Sequence, residues 1–304
     1  MKKKVLGIGE IVLDKVHKIS TFPREGEKVC AQEVEMTLGG PVPAGLIMLA
    51  RLGVECALTA SVADDEAGLI VRNILVKEGV HLLAQPTKQT PVHTVLVNSQ
   101  TGSRTIIKDR KASGSVKSVS QELLQSADGI LCDRHEPKAI LNAIEMKRLS
   151  TSVILDPSVD CSAQTLQLLK KVTLPIVPIE TIQLLFPKET IEMGAKKLSL
   201  LLNNSVVITL GKYGSAVCEN NRFTIHQSPS VKVVDTLGAG DIFRGAFLFG
   251  VINQWDLHRS AQFANVAAAL QCTKLGNSTA IPTKSEIISF QKSLVSLTHL
   301  QSIL

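Results

Sequence analysis

The stretch Val233-Val234-Asp235-Thr236-Leu237-Gly238-Ala239-Gly240-Asp241-Ile242-Phe243-Arg244-Gly245-Ala246-Phe247 runs from a short extended apolar pair through a glycine-rich turn into a helix. Phe243, Ala246, Phe247 and Val251 fall at i, i+3, i+4 and i+8 and share one helical face, which predicts packing against a sheet. Gly238, Ala239 and Gly240 carry almost no side chain, so the backbone N–H groups of the helix start are left uncovered. Together with the positive end of the helix dipole they form a site suited to a phosphate. Asp241 stands beside that anion. A carboxylate there is electrostatically unfavourable unless it has a task, and the evident task is to take a proton from a hydroxyl attacking phosphorus. A plain helix-start aspartate after a shaping turn is the alternative that the chemistry alone leaves open.

Outward from this stretch the chain reads as repeated β-α-β units. Short apolar runs at 5–9, 129–132, 152–156, 176–178 and 206–210 predict buried strands, and 43–52, 67–79, 137–149 and 190–202 predict the helices between them. The expected fold is α/β, a doubly wound, mostly parallel sheet with helices on both faces, formed by one domain over residues 1–304. Residues 29–38 and 93–108 break the rhythm with partial polar and apolar alternation. They predict a small β-sheet lid, its strands within 12–38 and 92–110; an edge extension of the main sheet is the alternative. Residues 111–120, rich in Ser, Lys and Gly, predict an exposed loop. Met36, Phe243 and Phe247 are read as core.

Composition narrows the function. The 304 residues hold 33 Lys and Arg against 27 Asp and Glu, a net charge of +6 that is spread along the chain rather than gathered in a block. With aromatics at 3%, a stacking surface for nucleic acid is poorly supplied, and no nucleic-acid partner is expected. The apolar start of the chain is cut by Glu10 and Asp14, and no run approaches the length of a membrane span, so a cytoplasmic protein without a membrane partner is expected. The six cysteines show no C-x-x-C and are read as reduced, mostly buried thiols. Neither G-x-x-x-x-G-K-[ST] nor a complete G-x-G-x-x-G is present, which disfavours a P-loop enzyme and a Rossmann dehydrogenase.

Asp235-Thr236-Leu237-Gly238-Ala239-Gly240-Asp241 matches in full the D-T-x-G-A-G-D signature of the ribokinase-like (PfkB) carbohydrate and nucleoside kinases. The chain resembles that family over almost its whole length, through Gly7-x-Gly9 with Asp14, Gly39-Gly40 ahead of Ala50-Arg51-Leu52-Gly53, and Thr209-Leu210-Gly211-Lys212-Tyr213-Gly214. The resemblance implies phosphoryl transfer from ATP to a hydroxyl, with Asp241 as general base and the amides of Gly238, Ala239, Gly240 and Asp241 as anion hole. It assigns substrate hydroxyls to Asp14, close approach of the substrate to Gly39 and Gly40, and the nucleotide groove to Thr209, Gly211, Gly214, Asn265 and Gly276. It brings Mg2+ with the nucleotide and puts a monovalent cation, K+, at Asp235 and the loop of Gly276. It also implies a homodimer formed through the lid.

Departures from the family pattern bear on the substrate. Ala44 stands where many relatives carry an Asn that grips a sugar hydroxyl, and Ile179-Glu180-Thr181-Ile182 replaces the usual N-x-x-E, leaving Glu180 and water for magnesium. The pattern is similar to the ketohexokinase and sulfofructose kinase branch and implies a small sugar substrate, a ketose or an anionic ketose derivative. Arg104, Lys108, Arg110, Arg134 and His135 could converge on an anionic group of that substrate; solvated or ion-paired surface residues are the alternative. A nucleoside kinase and a non-catalytic sugar or nucleotide sensor are the competing functions.

Overall fold

The computed structural model describes residues 2–109 and 114–301. Its strands are β1 Lys4–Ile8, β2 Val12–Ile19, β3 Glu33–Gly39, β4 Glu55–Ser61, β5 Val80–Gln85, β6 Val92–Asn98, β7 Arg104–Ile107, β8 Gly129–Asp133, β9 Ser152–Asp156, β10 Leu174–Pro178, β11 Val206–Thr209, β12 Ser215–Glu219 and β13 Arg222–His226. Its helices are α1 Pro41–Arg51, α2 Glu66–Lys77, α3 Gln121–Ser126, α4 Pro137–Met146, α5 Ala163–Lys171, α6 Ile179–Leu185, α7 Ile191–Leu202, α8 Ala239–Ile252, α9 Leu257–Gln271 and α10 Lys284–Gln301.

Nine strands form the main sheet in the order β13-β12-β11-β10-β9-β8-β1-β4-β5. From β5 to β11 every pairing is parallel, and β12 and β13 add an antiparallel edge. The central strands are short apolar runs because both faces are covered. Alternation sends Leu131, Ile154, Ile176 and Val207 into one core with residues of α1, α8 and α9. It sends Ile130, Val153, Val177 and Ile208 into the other, with residues of α4, α5 and α7. This is the doubly wound α/β arrangement expected. Strand order reverses between β1 and β8, so the crevice where such folds bind ligands opens at the carboxyl ends of these strands.

The second sheet has four strands in the order β3-β2-β6-β7, with β2 and β6 parallel. Register sets its two faces: Asp14 lies between Thr37 and His93, and Lys15 between Met36 and Thr94. Asp14 and Val16 therefore point inward, and Met36 points outward beside Lys15. Met36 is 43% exposed and does not belong to the core, because the pleat places it opposite the Asp14 face; Phe243 and Phe247 are buried. Cys56, Cys132 and Cys218 are buried, whereas Cys30 is exposed and Cys161 and Cys272 are half-buried, so only half of the free thiols lie inside. Residues 114–120 carry no regular structure, and the rest of the loop expected at 111–120 falls outside the described residues. Among the described residues no helix is long and apolar enough to cross a membrane.

Candidate active site

Helix α8 is positioned by a crossing against α1 in which two glycines meet. A Cβ on Gly245 would strike the backbone of Gly45, and a Cβ on Gly45 would lie 3.3 Å from the Asp241 carbonyl oxygen. Gly45 is four residues into α1, about 6 Å of helix rise beyond Pro41. The Gly39-Gly40 pair that leads into α1 is thus brought close to Asp241. At the other end of this arrangement the Asp14 carboxyl lies directly against the α-carbon of Gly39. Asp14 and Asp241, 227 positions apart in sequence, are for this reason both brought to the start of α1.

Gly238 caps α8 in the left-handed conformation, with φ 77°, and a Cβ there would run into Asn277 Oδ1. The helix start exposes fewer amides than the spacing implied. Asp241 N–H donates to the Gly238 carbonyl at 2.9 Å, and Ala239 N–H points to the Thr236 carbonyl at 3.4 Å. Among the described residues the amides of Gly238, which is buried, and Gly240, which is half-buried, have no such partner, so these two, rather than all four, are free of backbone acceptors. The turn closes on itself here because Gly238 accepts from both Asp241 and Ile242, the latter at 2.9 Å.

Two residues not anticipated from sequence complete this end of the site. Arg244, 5% exposed, sits one turn after Asp241, with Nη1 3.8 Å from Asp241 Oδ1 and 3.0 Å from Asp156 Oδ2. The same Nη1 would be 3.2 Å from a Cβ on Gly240, so the guanidinium lies against the open turn. Asp156 ends β9 and also accepts from Ser158 N–H at 2.7 Å. Burial and the neighbouring Asp156 charge push the Asp241 carboxyl up to about 7, while Arg244 and Arg104 pull it down. Both residues had a legible signal: an Asp ending an apolar strand run, and a charge inside an otherwise apolar helix.

Arg104 reaches from β7 to this end of the site, donating from Nη1 to Thr236 Oγ1 at 2.9 Å. Asp14 is 7% exposed and is pushed up to about 7 by burial, partly offset by Lys108. His93 Nδ1 lies 3.7 Å from its Oδ1, and burial pulls the His93 imidazole down. The basic residues expected to converge do so in part: Lys108 and Arg134 both lie within the field of His135, while Arg104 reaches Thr236. Lys108 also lies within the field of Asp14 and His93. Arg134 pairs with Asp160 at 3.4 Å, and His135 Nε2 lies 3.6 Å from Glu10 Oε2. Asp133 holds the loop there, its oxygens accepting from Glu10 N–H and His135 N–H at 2.8 Å each. Arg110 lies outside the described residues.

On the side of β11, Thr209 ends the strand and Gly211–Tyr213 forms a single 3-10 turn. Gly214 follows with φ 97°, and a Cβ there would strike the His226 carbonyl. Asn265, 3% exposed in α9, donates from Nδ2 to that same carbonyl at 2.8 Å, so its amide nitrogen braces β13 rather than facing the groove. Asp235 is fully buried and its oxygens accept from Leu237 N–H at 2.9 Å and Gly276 N–H at 3.1 Å. The Gly276 carbonyl in turn accepts from Gln271 Nε2. The groups expected to hold K+ are thus engaged by the protein's own N–H donors. Glu180 is exposed at the start of α6, and among the described residues no cluster of three His, Cys, Asp or Glu could hold a metal ion.

The sequence profile described as pfkB family carbohydrate kinase matches residues 2–284. A ribokinase of Haemophilus influenzae is 26% identical over 310 residues, which cover 95% of this chain and 99% of that protein. The crystal structure of a putative ribokinase from Agrobacterium tumefaciens superposes with a TM-score of 0.88 at 24% identity, covering 97% of this chain and 99% of its own. Arabidopsis thaliana ribokinase, solved with ribose and ATP, superposes with a TM-score of 0.81 at 22% identity, covering 95% of this chain and 98% of its own.

Proposed function

Since the chain belongs to the pfkB family of carbohydrate kinases and transfers a phosphoryl group from ATP to a sugar, we propose that Asp241 is the general base of that transfer and that its acceptor is a ketose or an anionic ketose derivative. The observation that carries the first part is the placing of Asp241 beside two amides without a backbone partner and a buried arginine. Only the ionised carboxylate accepts a proton, and a carboxyl raised to about 7 is a stronger base than an ordinary one while still ionised in half of the molecules at that pH. The acceptor hydroxyl passes its proton to Asp241 as its oxygen attacks phosphorus. Gly238 N–H, Gly240 N–H and Arg244 face the charge that builds there, and Arg104 adds a second cation from the small sheet. ATP with Mg2+ supplies the phosphoryl group and part of its charge neutralisation; the open α8 start and the side-chain-free turn at Gly211 and Gly214 fit a nucleotide.

Asp14 accepts hydrogen bonds from the sugar, and Gly39 and Gly40 let it lie against backbone. Ala44, 1% exposed, offers no amide to a sugar hydroxyl, which favours an acceptor other than a simple pentose. Lys108 beside Asp14 and Arg104 beside Thr236 favour an anionic acceptor. Coupled ADP release across ribose, ketoses and their acidic derivatives, with Asp241→Asn as the blank, tests both parts. Preference for ribose refutes the ketose reading, and turnover surviving in the blank refutes Asp241 as base. Val34, Met36 and Ile107, exposed on the outer face of the small sheet, support pairing of two such sheets. A sedimentation mass of a monomer at micromolar concentration refutes that pairing.

A further inference from the structure

Gln271 ends α9 after a run of small and apolar residues, Val266 to Leu270, and its side chain is 1% exposed. An amide so buried needs partners. Its Nε2 lies 3.1 Å from the Leu237 carbonyl, 3.1 Å from the Gly276 carbonyl and 3.0 Å from the Asn277 carbonyl. Two protons therefore serve three acceptors. The reverse orientation would set Oε1 against three carbonyl oxygens with no proton between them, so the nitrogen faces inward and Oε1 is left without a protein partner. Converging carbonyls flanked by a buried carboxylate, here Asp235, make a donor set for a monovalent cation. The centre of this one is filled by an amide nitrogen.

We propose that the Gln271 amide takes the place of a monovalent cation and itself holds the anion hole, making Gln271 a positioning residue and the enzyme independent of K+. The Leu237 carbonyl and the Gly238 N–H belong to one peptide unit. A hydrogen bond on the carbonyl fixes that unit and polarises the N–H that faces the incoming charge. Asn277, whose carbonyl shares the same amide, also donates from Nδ2 to the Leu38 carbonyl at 3.1 Å. Gln271 thus ties the α8 start to the strand that leads into Gly39.

The test compares the wild type with Gln271→Ala in K+, NH4+ and tetramethylammonium chlorides at constant ionic strength, reading both turnover and the thermal midpoint. Its kinetic arm rests on the proposed sugar kinase reaction; its thermal arm needs no substrate, so failure of one reading is separable from failure of the other. Wild-type turnover should differ by less than about twofold between K+ and tetramethylammonium, and its midpoint should not respond selectively to K+. Gln271→Ala should lose at least about tenfold in kcat in tetramethylammonium, and K+ or NH4+ should restore activity and raise its midpoint. Selective activation or stabilisation of the wild type by K+ overturns the proposal. So does a variant that turns over like the wild type without either ion, or one that neither ion restores or stabilises. If the variant does not fold, the wild-type cation comparison decides alone.

Discussion

Asp14 and Asp241 are both pushed up to about 7, in each case by burial first, and differ in the charges that surround them. Asp14 is lifted by burial between strands, with Lys108 as the main restraint. Asp241 is lifted by burial as well, and in addition sits in a set of opposing charges, with Asp156 raising it and Arg244 and Arg104 lowering it. A buried carboxyl with little opposing charge around it favours its neutral form until a ligand brings hydrogen bonds that stabilise the anion. A carboxyl in charge balance responds to charges around it, including those that arrive with a phosphate. The first arrangement suits an anchor for sugar hydroxyls and the second a group that exchanges a proton during reaction.

The strongest way to break this distinction is to neutralise each group in turn. Asp241→Asn should lower kcat by about 10³-fold, with nucleotide affinity within about twofold of the wild type by calorimetry. Asp14→Asn should act mainly on binding, raising KM for the sugar about tenfold or more, with a smaller fall in kcat. A variant pair in which both residues depress kcat equally and leave KM unchanged would remove the division of labour.

The next test concerns pH. The acid limb of kcat/KM should fall near 7, where Asp241 loses its charge. Asp156 raises that value, so Asp156→Asn should move the limb to lower pH; Arg244 lowers it, so Arg244→Met should move the limb to higher pH. Asp14→Asn should leave the acid limb of kcat, which reports the substrate-bound enzyme, in place if Asp14 binds and does not exchange the proton. A limb that follows Asp14 and ignores Asp156 reverses the assignment.

These contrasts differ in how far sequence reading reaches them. The layered sheet was legible because each central strand is a short apolar run bounded by polar residues, and the pattern needs no partner to be recognised. Asp241 was legible because its turn and helix are contiguous. The Asp156–Arg244 pair was not, since 88 positions separate its members and only the parallel order of β8, β9 and β10 brings the end of β9 under α8. Register likewise decided Met36: its alternation with Val34 was visible, but which face the pair occupies depends on Lys15 and Asp14 across the strand. Asp235 and Asn265 carry polar side chains at positions that read as ligand contacts, and their commitments to the amides of Leu237 and Gly276 and to the His226 carbonyl are tertiary facts.

The backbone supplies a smaller effect. Gly238→Ala must place a Cβ at φ 77° against Asn277 Oδ1. It should cost about 1–2 kcal/mol of stability in denaturant unfolding and lower kcat through the displaced Gly238 amide, without moving the acid limb. Unchanged stability would mean that the Asn277 side chain yields freely.

The same two carboxylates should also be readable in stability alone. Each has a native pKa of about 7 against an ordinary 3.8, so the native state holds protons that the unfolded chain has already released. Stability from these groups is fully present below about pH 4 and declines as pH rises through the window from 3.8 to 7. An asparagine keeps the shape and never ionises, so Asp14→Asn and Asp241→Asn should both raise the thermal midpoint at pH 8, by a few degrees at most for a chain of this size, and change it little below about pH 4. The gain should be larger for Asp14, whose ion-pair neighbour is the imidazole of His93, than for Asp241, whose loss also leaves Arg244 with Asp156 as its remaining carboxylate. Equal gains would mean that the arginines do not offset the cost of the Asp241 charge, and the two sites would then differ in position but not in kind.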